Sequence, residues 1–265
     1  MKRWLLPLLF LSASLLSLKA QYPTTIRVVA EYGFMNLSGK LNEHWEFRHT
    51  PQGYFNPDYH GNEYATGEGR MHYAGLKVEL PTWKSRVTLA SGLRYTNVNQ
   101  QVLPFNNMSH LYLYHPTGRG IDIYRLDEMN ESIGYVSVPL EADIILLGYY
   151  SNWQVYLKGG IQAGVKVHAK SRIHFTSPSM QTYEDEVLAV AGKRPSAFFS
   201  NFYGSLGSRW TLTNGVRVAA EMVMPYLFLS KPNWSFLSSE NFPGVQFSIA
   251  IPLQPFSLVQ PYPFK

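Results

Sequence analysis

The sequence predicts an all-β fold: an eight-stranded antiparallel up-and-down transmembrane β-barrel with long extracellular loops. Three observations support this prediction. Eight stretches alternate polar and apolar residues with the period of two that marks a strand. The charged residues of each stretch fall on one face only, and the connections are alternately long and short. A lipid-facing apolar side, a polar interior and short turns at one end are typical of bacterial outer-membrane barrels.

The predicted strands cover about 25–37, 71–80, 86–97, 134–147, 153–168, 199–212, 215–228 and 244–253. The clearest is 153–168, in which Trp153, Val155 and Leu157 begin one face while Gln154 and Lys158 lie on the other. Long connections fall at about 38–70, 98–133, 169–198 and 229–243, and short turns at 81–85, 148–152 and 213–214. Eight strands therefore place the long loops at one end of the barrel and both termini at the other.

The first twenty residues have the features of a secretory signal, so we expect a signal peptide over 1–20 and a barrel domain over 21–265. Lys2 and Arg3 precede an apolar run that ends near Ala20, as in export signals. A single membrane anchor is the alternative, but the run is short for a span. Cleavage would remove three cations and lower the net charge from +5 to +2, so the basic composition does not favour a nucleic-acid partner.

The composition favours a barrel with an apolar exterior over a soluble surface. Aromatic residues and charged residues each make up 15% of the chain, and that charged fraction is low for a soluble domain. The chain contains no cysteine, so it forms no disulfide. We find no phosphate-binding loop, zinc motif or nucleophile elbow and expect no catalytic residue, no metal and no cofactor. His44, His49 and His60 fit no tight metal-ligand spacing.

The inward-facing charges predict an ion-pair network that fills the lumen. An eight-stranded barrel is narrow enough for side chains to fill it, and buried charges need partners. Positive residues on the third strand would meet Glu141 and Asp143 on the fourth, which would meet Lys158 and Lys166 on the fifth. A catalytic or ligand-binding lumen is the alternative, but alternation alone produces the spacing of Glu141 and Asp143. The predicted network comprises Arg27, Glu31, Lys77, Glu79, Arg86, Arg94, Glu141, Asp143, Lys158, Lys166, Arg209, Arg217 and Glu221.

Aromatic residues predict two further features. Trp83, Trp153 and Trp210 lie at the short turns, where a periplasmic aromatic belt is expected and ordinary turn packing is the alternative. The long loops are rich in aromatic side chains that are candidates for recognition. Equally, such side chains could pack the loops on one another over the barrel mouth. The candidates for recognition are Trp45, Tyr54, Tyr59, Tyr112 and Tyr114.

Short motifs also resemble a known family. The run 135–140 reads Tyr-Val-Ser-Val-Pro-Leu, and the hairpin over 73–95 and the run 158–164 accompany it. These resemble the fourth strand (Tyr-Leu-Glu-Ile-Pro-Leu) and the second, third and fifth strands of the PorT-like outer-membrane β-barrel family of Bacteroidota. The resemblance implies an eight-stranded outer-membrane barrel and no single activity, although the name-giving member is associated with protein secretion. Pro139 removes a ladder hydrogen bond, so we expect a local bulge there.

Together these features predict a non-enzymatic protein of the outer membrane of a Gram-negative bacterium, exported with a cleaved signal peptide. Its expected partners are outer-membrane lipid and an envelope protein complex, and its expected role is that of an accessory subunit or a surface-recognition protein. An enzyme acting on lipid or peptide at the barrel mouth is one alternative. A soluble lipocalin-like barrel is another, and it predicts apolar residues inside and charges outside.

Overall fold

The computed structural model describes residues 26–42, 45–48, 65–82, 86–105, 109–114, 120–148, 151–190, 194–213 and 215–253. Helical structure in these ranges is limited to a 3-10 turn (Pro178–Tyr183) and α1 (Glu184–Val190). The predicted signal peptide lies outside the described residues. The strands are β1 (Arg27–Leu37), β2 (Glu46–Arg48), β3 (Ala65–Thr82), β4 (Val87–Pro104), β5 (His110–Tyr114), β6 (Ile121–Leu147), β7 (Trp153–Phe175), β8 (Phe198–Thr211), β9 (Arg217–Val223), β10 (Leu227–Ser230) and β11 (Asn241–Pro252).

Eight of these strands form a closed antiparallel ring. The order is β1, β3, β4, β6, β7, β8, β9 and β11, and each strand pairs with the next. The ring closes because β11 pairs with β1, from Arg27 opposite Pro252 to Leu37 opposite Asn241. The all-β antiparallel arrangement of eight strands predicted from the sequence is thereby confirmed. The start of β1, the end of β11 and the strand ends that the short connections join lie at one end of the ring, which we call the lower end.

The strands on one side of the ring are much longer than predicted. Strands β3, β4, β6 and β7 contain 18, 18, 27 and 23 residues, whereas β9 contains 7. Much of the predicted loop region 98–133 is therefore strand, and so is the start of the predicted loop 169–198, up to Phe175. The predicted seventh strand was too long, since β9 ends at Val223 and the separate strand β10 pairs with β8. Strands β2 and β5 pair beside the upper part of β6 and add a small sheet above the ring.

Pro139 does not produce the bulge expected from the sequence. On both sides of Pro139 the pairing of β6 with β4 keeps one register, with Leu140 opposite Ser91 and Ser137 opposite Arg94. The two intervening residue pairs are missing from that ladder, since proline has no N–H to donate. The chain keeps its alternation through the gap, so the prediction of a bulge was wrong. The register shifts of the β6–β7 pairing lie elsewhere, one of them between Gly134 and Tyr135.

Glycines on the inward face make room for aromatic rings that lie across the neighbouring strand. A Cβ added at Gly160 would lie 2.7 Å from the ring of Tyr203, and one added at Gly207 would lie 2.5 Å from the ring of Tyr156. Each tyrosine ring therefore packs directly against the backbone of a glycine. This packing brings both tyrosine hydroxyls into the lumen, where they meet carboxylates.

The interior is filled in layers from the lower end upward. Charged and polar residues occupy the lower and central layers, and they include Arg27 and Glu31 on β1. An apolar layer follows, with Met35 and Leu37 on the same strand. A second apolar cluster lies above it between the upper strands, β2, β5 and α1, and contains Phe47 and Val187. Among the described residues, no helix is long and apolar enough to cross a membrane.

Candidate functional site in the lumen and at its mouth

The centre of the lumen contains six buried charges that balance. Three carboxylates belong to Glu31 on β1, Glu141 on β6 and Glu221 on β9, and three cations belong to Lys77, Arg94 and Lys158. All six face inward because each occupies one of the alternate positions of its strand that point into the lumen. We call this set the ionic layer. Its equal numbers of opposite charges satisfy the requirement that buried ions have partners.

Arg94 connects two of the carboxylates across the ring. Its Nε donates to Glu31 Oε1 at 2.8 Å, and its Nη2 donates to Glu141 Oε1 at 2.8 Å. Its Nη1 donates to Gln162 Oε1 at 2.9 Å. The guanidinium plane also lies over the rings of Tyr73 and Tyr203, 4.7 Å and 5.1 Å from their centroids. A planar fork of donors suits this bridging position, which one ammonium could not fill.

Two lysines complete the layer. Lys77 Nζ lies 2.6 Å from Glu31 Oε2 and also contacts Glu141. Lys158 Nζ lies 2.6 Å from Glu221 Oε1 and 3.7 Å from Glu141 Oε2. Glu31 and Glu141 are thus each shared by more than one cation, and one connected network links β1, β3, β4, β6, β7 and β9.

Neutral side chains donate further hydrogen bonds to the carboxylates. Tyr156 donates its hydroxyl to Glu221 Oε1 at 2.7 Å, and Tyr203 donates to Glu141 Oε1 at 2.5 Å. Ser205 donates to Glu221 Oε2 at 2.5 Å. Both oxygens of each of the three carboxylates therefore have a partner within the layer or beside it, and this geometry favours a structural network.

A second set of charges lies below the ionic layer. Arg209 Nη1 is 3.7 Å from Asp143 Oδ2, and its Nε donates to Gln154 Oε1 at 2.8 Å. Arg217 Nη1 is 3.5 Å from Glu79 Oε2. Arg27 is buried at the same level. These separations are longer than those in the ionic layer except the 3.7 Å between Lys158 Nζ and Glu141 Oε2.

Two residues of the predicted network lie elsewhere. Arg86 is exposed and precedes β4, so its side chain does not enter the lumen. Lys166 is half-buried at the upper rim and donates to the carbonyl oxygen of Pro195 at 2.6 Å instead of to Glu141 or Asp143. The register explains the second difference, since Lys166 lies opposite Tyr135, six residues above Glu141 on β6.

The segment 231–240 closes the upper end of the lumen. Trp234, Phe236 and Leu237 are buried there, and Trp234 belongs to the apolar layer above the ionic layer. Asn42 Nδ2 donates to the carbonyl oxygens of Ser235 and Leu237 at 3.1 Å and 3.0 Å. We call this segment the cap.

Two polar side chains of the strand wall bind the backbone of the cap. Glu131 accepts the N–H of Ser235 at 3.0 Å, and Gln100 accepts the N–H of Leu237 at 2.9 Å. Ser171 also donates to Glu131, at 3.0 Å. Burial raises the pKa of the Glu131 carboxyl, and the bonds from Ser235 and Ser171 act in the opposite direction. The sequence analysis missed Glu131 and Gln100 because they lie beyond the predicted strand ends, although both continue the inward parity of their strands.

The structure places two of the loop recognition candidates inside the protein. Trp45 and Tyr112 are buried, so neither stands on an exposed surface. Trp45 Nε1 donates to the carbonyl oxygen of Ser235 at 2.7 Å, which ties the first long loop to the cap. Tyr114 lies in β5, whereas Tyr54 and Tyr59 lie outside the described residues. The described loop aromatics therefore pack the loops together, the alternative that the sequence left open.

Tryptophans lie on the outer surface near the lower end. Trp153 on β7 and Trp210 on β8 are opposite each other in the register, and both are exposed. Trp153 Nε1 donates to Ser208 Oγ at 2.8 Å. The third predicted member of the belt, Trp83, lies outside the described residues. The two neighbouring indoles form an aromatic patch at the lower end, beside the short connections that join β6 to β7 and β8 to β9.

Comparison with known proteins adds little to this geometry. No family model matches the chain, and no curated protein matches it. Among solved structures it is similar to the transport unit of the autotransporter AIDA-I from Escherichia coli, with 9% identity, 93% of this chain and 96% of that chain covered, and a TM-score of 0.32. That similarity supports no argument about function. No group of three or more residues able to hold a metal ion lies within the described ranges.

Proposed function

We propose that the protein is an integral outer-membrane β-barrel with a closed lumen, acting as an accessory subunit of an envelope complex or as a surface-recognition protein. The observation that carries the membrane assignment is an apolar exterior that runs around the whole ring. Every ring strand exposes large apolar side chains outward, among them Tyr32, Leu76, Leu93, Leu140, Ile161, Phe202, Met222 and Phe247. A soluble monomer does not expose a continuous apolar surface of this kind.

The charges have the complementary distribution. The ionic layer lies inside the ring at the level where the exterior is apolar. Arg94, for example, is buried, whereas its neighbour Leu93 is exposed. A lipocalin-like barrel would have the opposite arrangement. Each unsatisfied backbone group costs several kcal/mol in hydrocarbon, so a ring without edges is one of the few structures that can cross a bilayer.

The filled interior supports a role other than conduction. The ionic layer, the apolar layer and the cap lie one above another on the axis of the ring, and their side chains are buried against one another. Function is then left to the surfaces outside the lumen. The folded structure above the ring, with its own apolar cluster, provides such a surface on the side of the long loops. The motifs that resemble the PorT-like family support an accessory role in the envelope.

Two experiments test the proposal. Membranes should be washed at alkaline pH and floated: an integral barrel stays with the outer-membrane fraction, whereas release into the soluble fraction would overturn the membrane assignment. A tagged full-length copy should then be purified from native membranes in mild detergent and its partners identified by mass spectrometry. A stoichiometric envelope protein supports the accessory role, and recovery of the barrel alone would favour free-standing recognition.

A further inference from the structure

A polar band lies on the outer face of β3, β4, β6 and β7, immediately above the apolar exterior. Its central row crosses four strands: Arg70 is opposite Asn99, Asn99 is opposite Ser132, and Ser132 is opposite Lys170. All four positions have the outward parity of their strands. Three strand spacings separate the two cations, which is roughly 14 Å.

Two further rows flank the central one. The row above runs from Glu68 through Gln101 and Asn130 to Arg172. The row below runs from His72 through Asn97 and Gly134 to His168. Successive rows are two residues apart along each strand, or roughly 7 Å. We call these three rows the headgroup band.

The cations of the headgroup band are available to a ligand. Arg70, Lys170 and Arg172 are exposed, and none of them makes an ion pair or hydrogen bond with the described residues. The nearby carboxylate of Glu128 is already used, since it accepts from Gln101 at 2.7 Å and from Asn130. Glu68 is the one carboxylate within the rows. It lies on β3 two residues from Arg70, so the net positive charge of the band is concentrated at the β7 end, on Lys170 and Arg172.

The middle of the band consists of amides and hydroxyls held in place by one another. Asn97 Nδ2 donates to Asn99 Oδ1 at 3.3 Å, and Ser132 Oγ donates to Asn97 Oδ1 at 3.3 Å. Side-chain amides offer both donors and acceptors, which suits the hydroxyl groups of a sugar. Guanidinium and ammonium groups suit phosphate. The order cation, amide, cation thus matches a sugar that carries phosphate groups.

The apolar surface continues directly below on the same strands. Leu76 on β3, Leu93 on β4 and Val138 on β6 form one exposed row there, three rows below Arg70. A ligand in the band would therefore have its lower part against hydrocarbon-compatible side chains. This continuity distinguishes a lipid from a soluble phosphorylated ligand or a protein partner.

We propose that the headgroup band binds the phosphorylated sugar headgroup of a glycolipid in the outer leaflet. Arg70 would bind phosphate at one end, and Lys170 and Arg172 would bind phosphate at the other. The acyl chains would lie on the apolar row that contains Leu93. This inference rests on the proposed function, since the band meets lipid only if the ring spans the outer membrane with its long loops outside.

The test uses the full-length protein folded in detergent, with native mass spectrometry to detect bound lipid. The probes are diphosphorylated lipid A and the same glycolipid with both phosphates removed. The test variant is R70A/K170A/R172A, and the matched control is K40A/R194A/K231A, which removes three exposed cations outside the band. Each cation near an anionic lipid surface contributes roughly a fivefold factor in affinity, so the test variant should bind the diphosphorylated lipid roughly a hundredfold more weakly.

The outcomes separate this inference from the proposed function. Tight binding of the phosphorylated probe, loss in the test variant and retention in the control would support the headgroup band. Equal binding of both probes, or equal loss in both variants, would overturn it. Insertion into phosphocholine vesicles is measured alongside: a wild type that inserts but shows no phosphate preference refutes the headgroup band alone, whereas failure to insert refutes the membrane assignment.

Discussion

Replacing Arg94 by methionine tests whether the balance of charge in the ionic layer stabilises the ring. The substitution keeps a long side chain against Tyr73 and Tyr203 but leaves three carboxylates facing two lysines. It also removes the hydrogen bonds to Glu31, Glu141 and Gln162. Removing one partner of a buried ion pair typically costs about 3–5 kcal/mol. We expect the free energy of unfolding to fall by about that amount.

The assay is urea unfolding of the full chain in phosphocholine vesicles, followed by tryptophan fluorescence. With a urea dependence of about 2 kcal/mol per molar, the midpoint of Arg94→Met should fall by about 2 M. Arg194→Met is the matched control, because Arg194 is exposed outside the ring and such changes usually alter stability by about 0.5 kcal/mol or less. A midpoint equal to that of the control would refute the reasoning.

A double variant separates charge balance from lost packing. Glu31→Gln removes one carboxylate, so Arg94→Met with Glu31→Gln leaves two charges of each sign in the ionic layer. We expect the double variant to be more stable than the sum of the two single losses predicts, with a coupling of roughly 2 kcal/mol or more. Strictly additive losses would show that shape, and not charge balance, determines the effect of Arg94.

Three further predictions concern the exterior, the cap and the lumen. Leu140→Arg, at a position 54% exposed on the apolar exterior, should cost about 2–4 kcal/mol in vesicles, whereas Ser132→Arg in the headgroup band should cost about 1 kcal/mol or less; equal costs would contradict a bilayer at that level. The pKa of Glu131 is raised in the folded state, so the folded state binds this proton more tightly than the unfolded chain does. The resulting stabilisation of the closed cap is fully present below the ordinary glutamate pKa of 4.5 and should be lost as pH rises through the raised pKa. Hydrogen exchange at the Ser235 amide, compared at each pH with Glu131→Gln, which keeps an acceptor and cannot titrate, should show this loss in the wild type alone; parallel profiles would refute it. Planar-bilayer recordings should show no steady pore for the wild type or for Trp234→Ala, because the ionic layer closes the lumen below the cap, and a steady conductance in either would contradict a filled lumen.

Alternation along the chain was enough to predict much of the candidate site. In a strand the side chains at every second position share one face, so Glu31, Lys77 and Glu141 could be assigned to the interior before any pairing was known. Arg86 could not be placed in this way, because its position depends on where the turn before β4 ends. Lys166 had the correct parity, but its height in the lumen depends on the register of β7 against β6.

The upper ends of the strands also could not be predicted from the sequence. The upper parts of β3, β4, β6 and β7 were predicted as loops, because the pattern of the lower strands is reversed there: apolar residues such as Val102, Met129 and Ile173 face inward and the outward face is polar. They form strands because each finds hydrogen-bonding partners in its neighbours. Glu131 and Gln100, which hold the cap, and the upper two rows of the headgroup band lie in these extensions.

The sequence by itself determined the all-β class, the number of ring strands, which face of each strand is polar, and the end at which the long connections lie. These features depend on patterns within one strand and the length of the next connection. Only the tertiary structure decided which charges meet, how the cap closes the lumen and which outward residues share a row. Those depend on the register between strands far apart in the chain, which is fixed when all eight pair at once and the ring closes through β1 and β11.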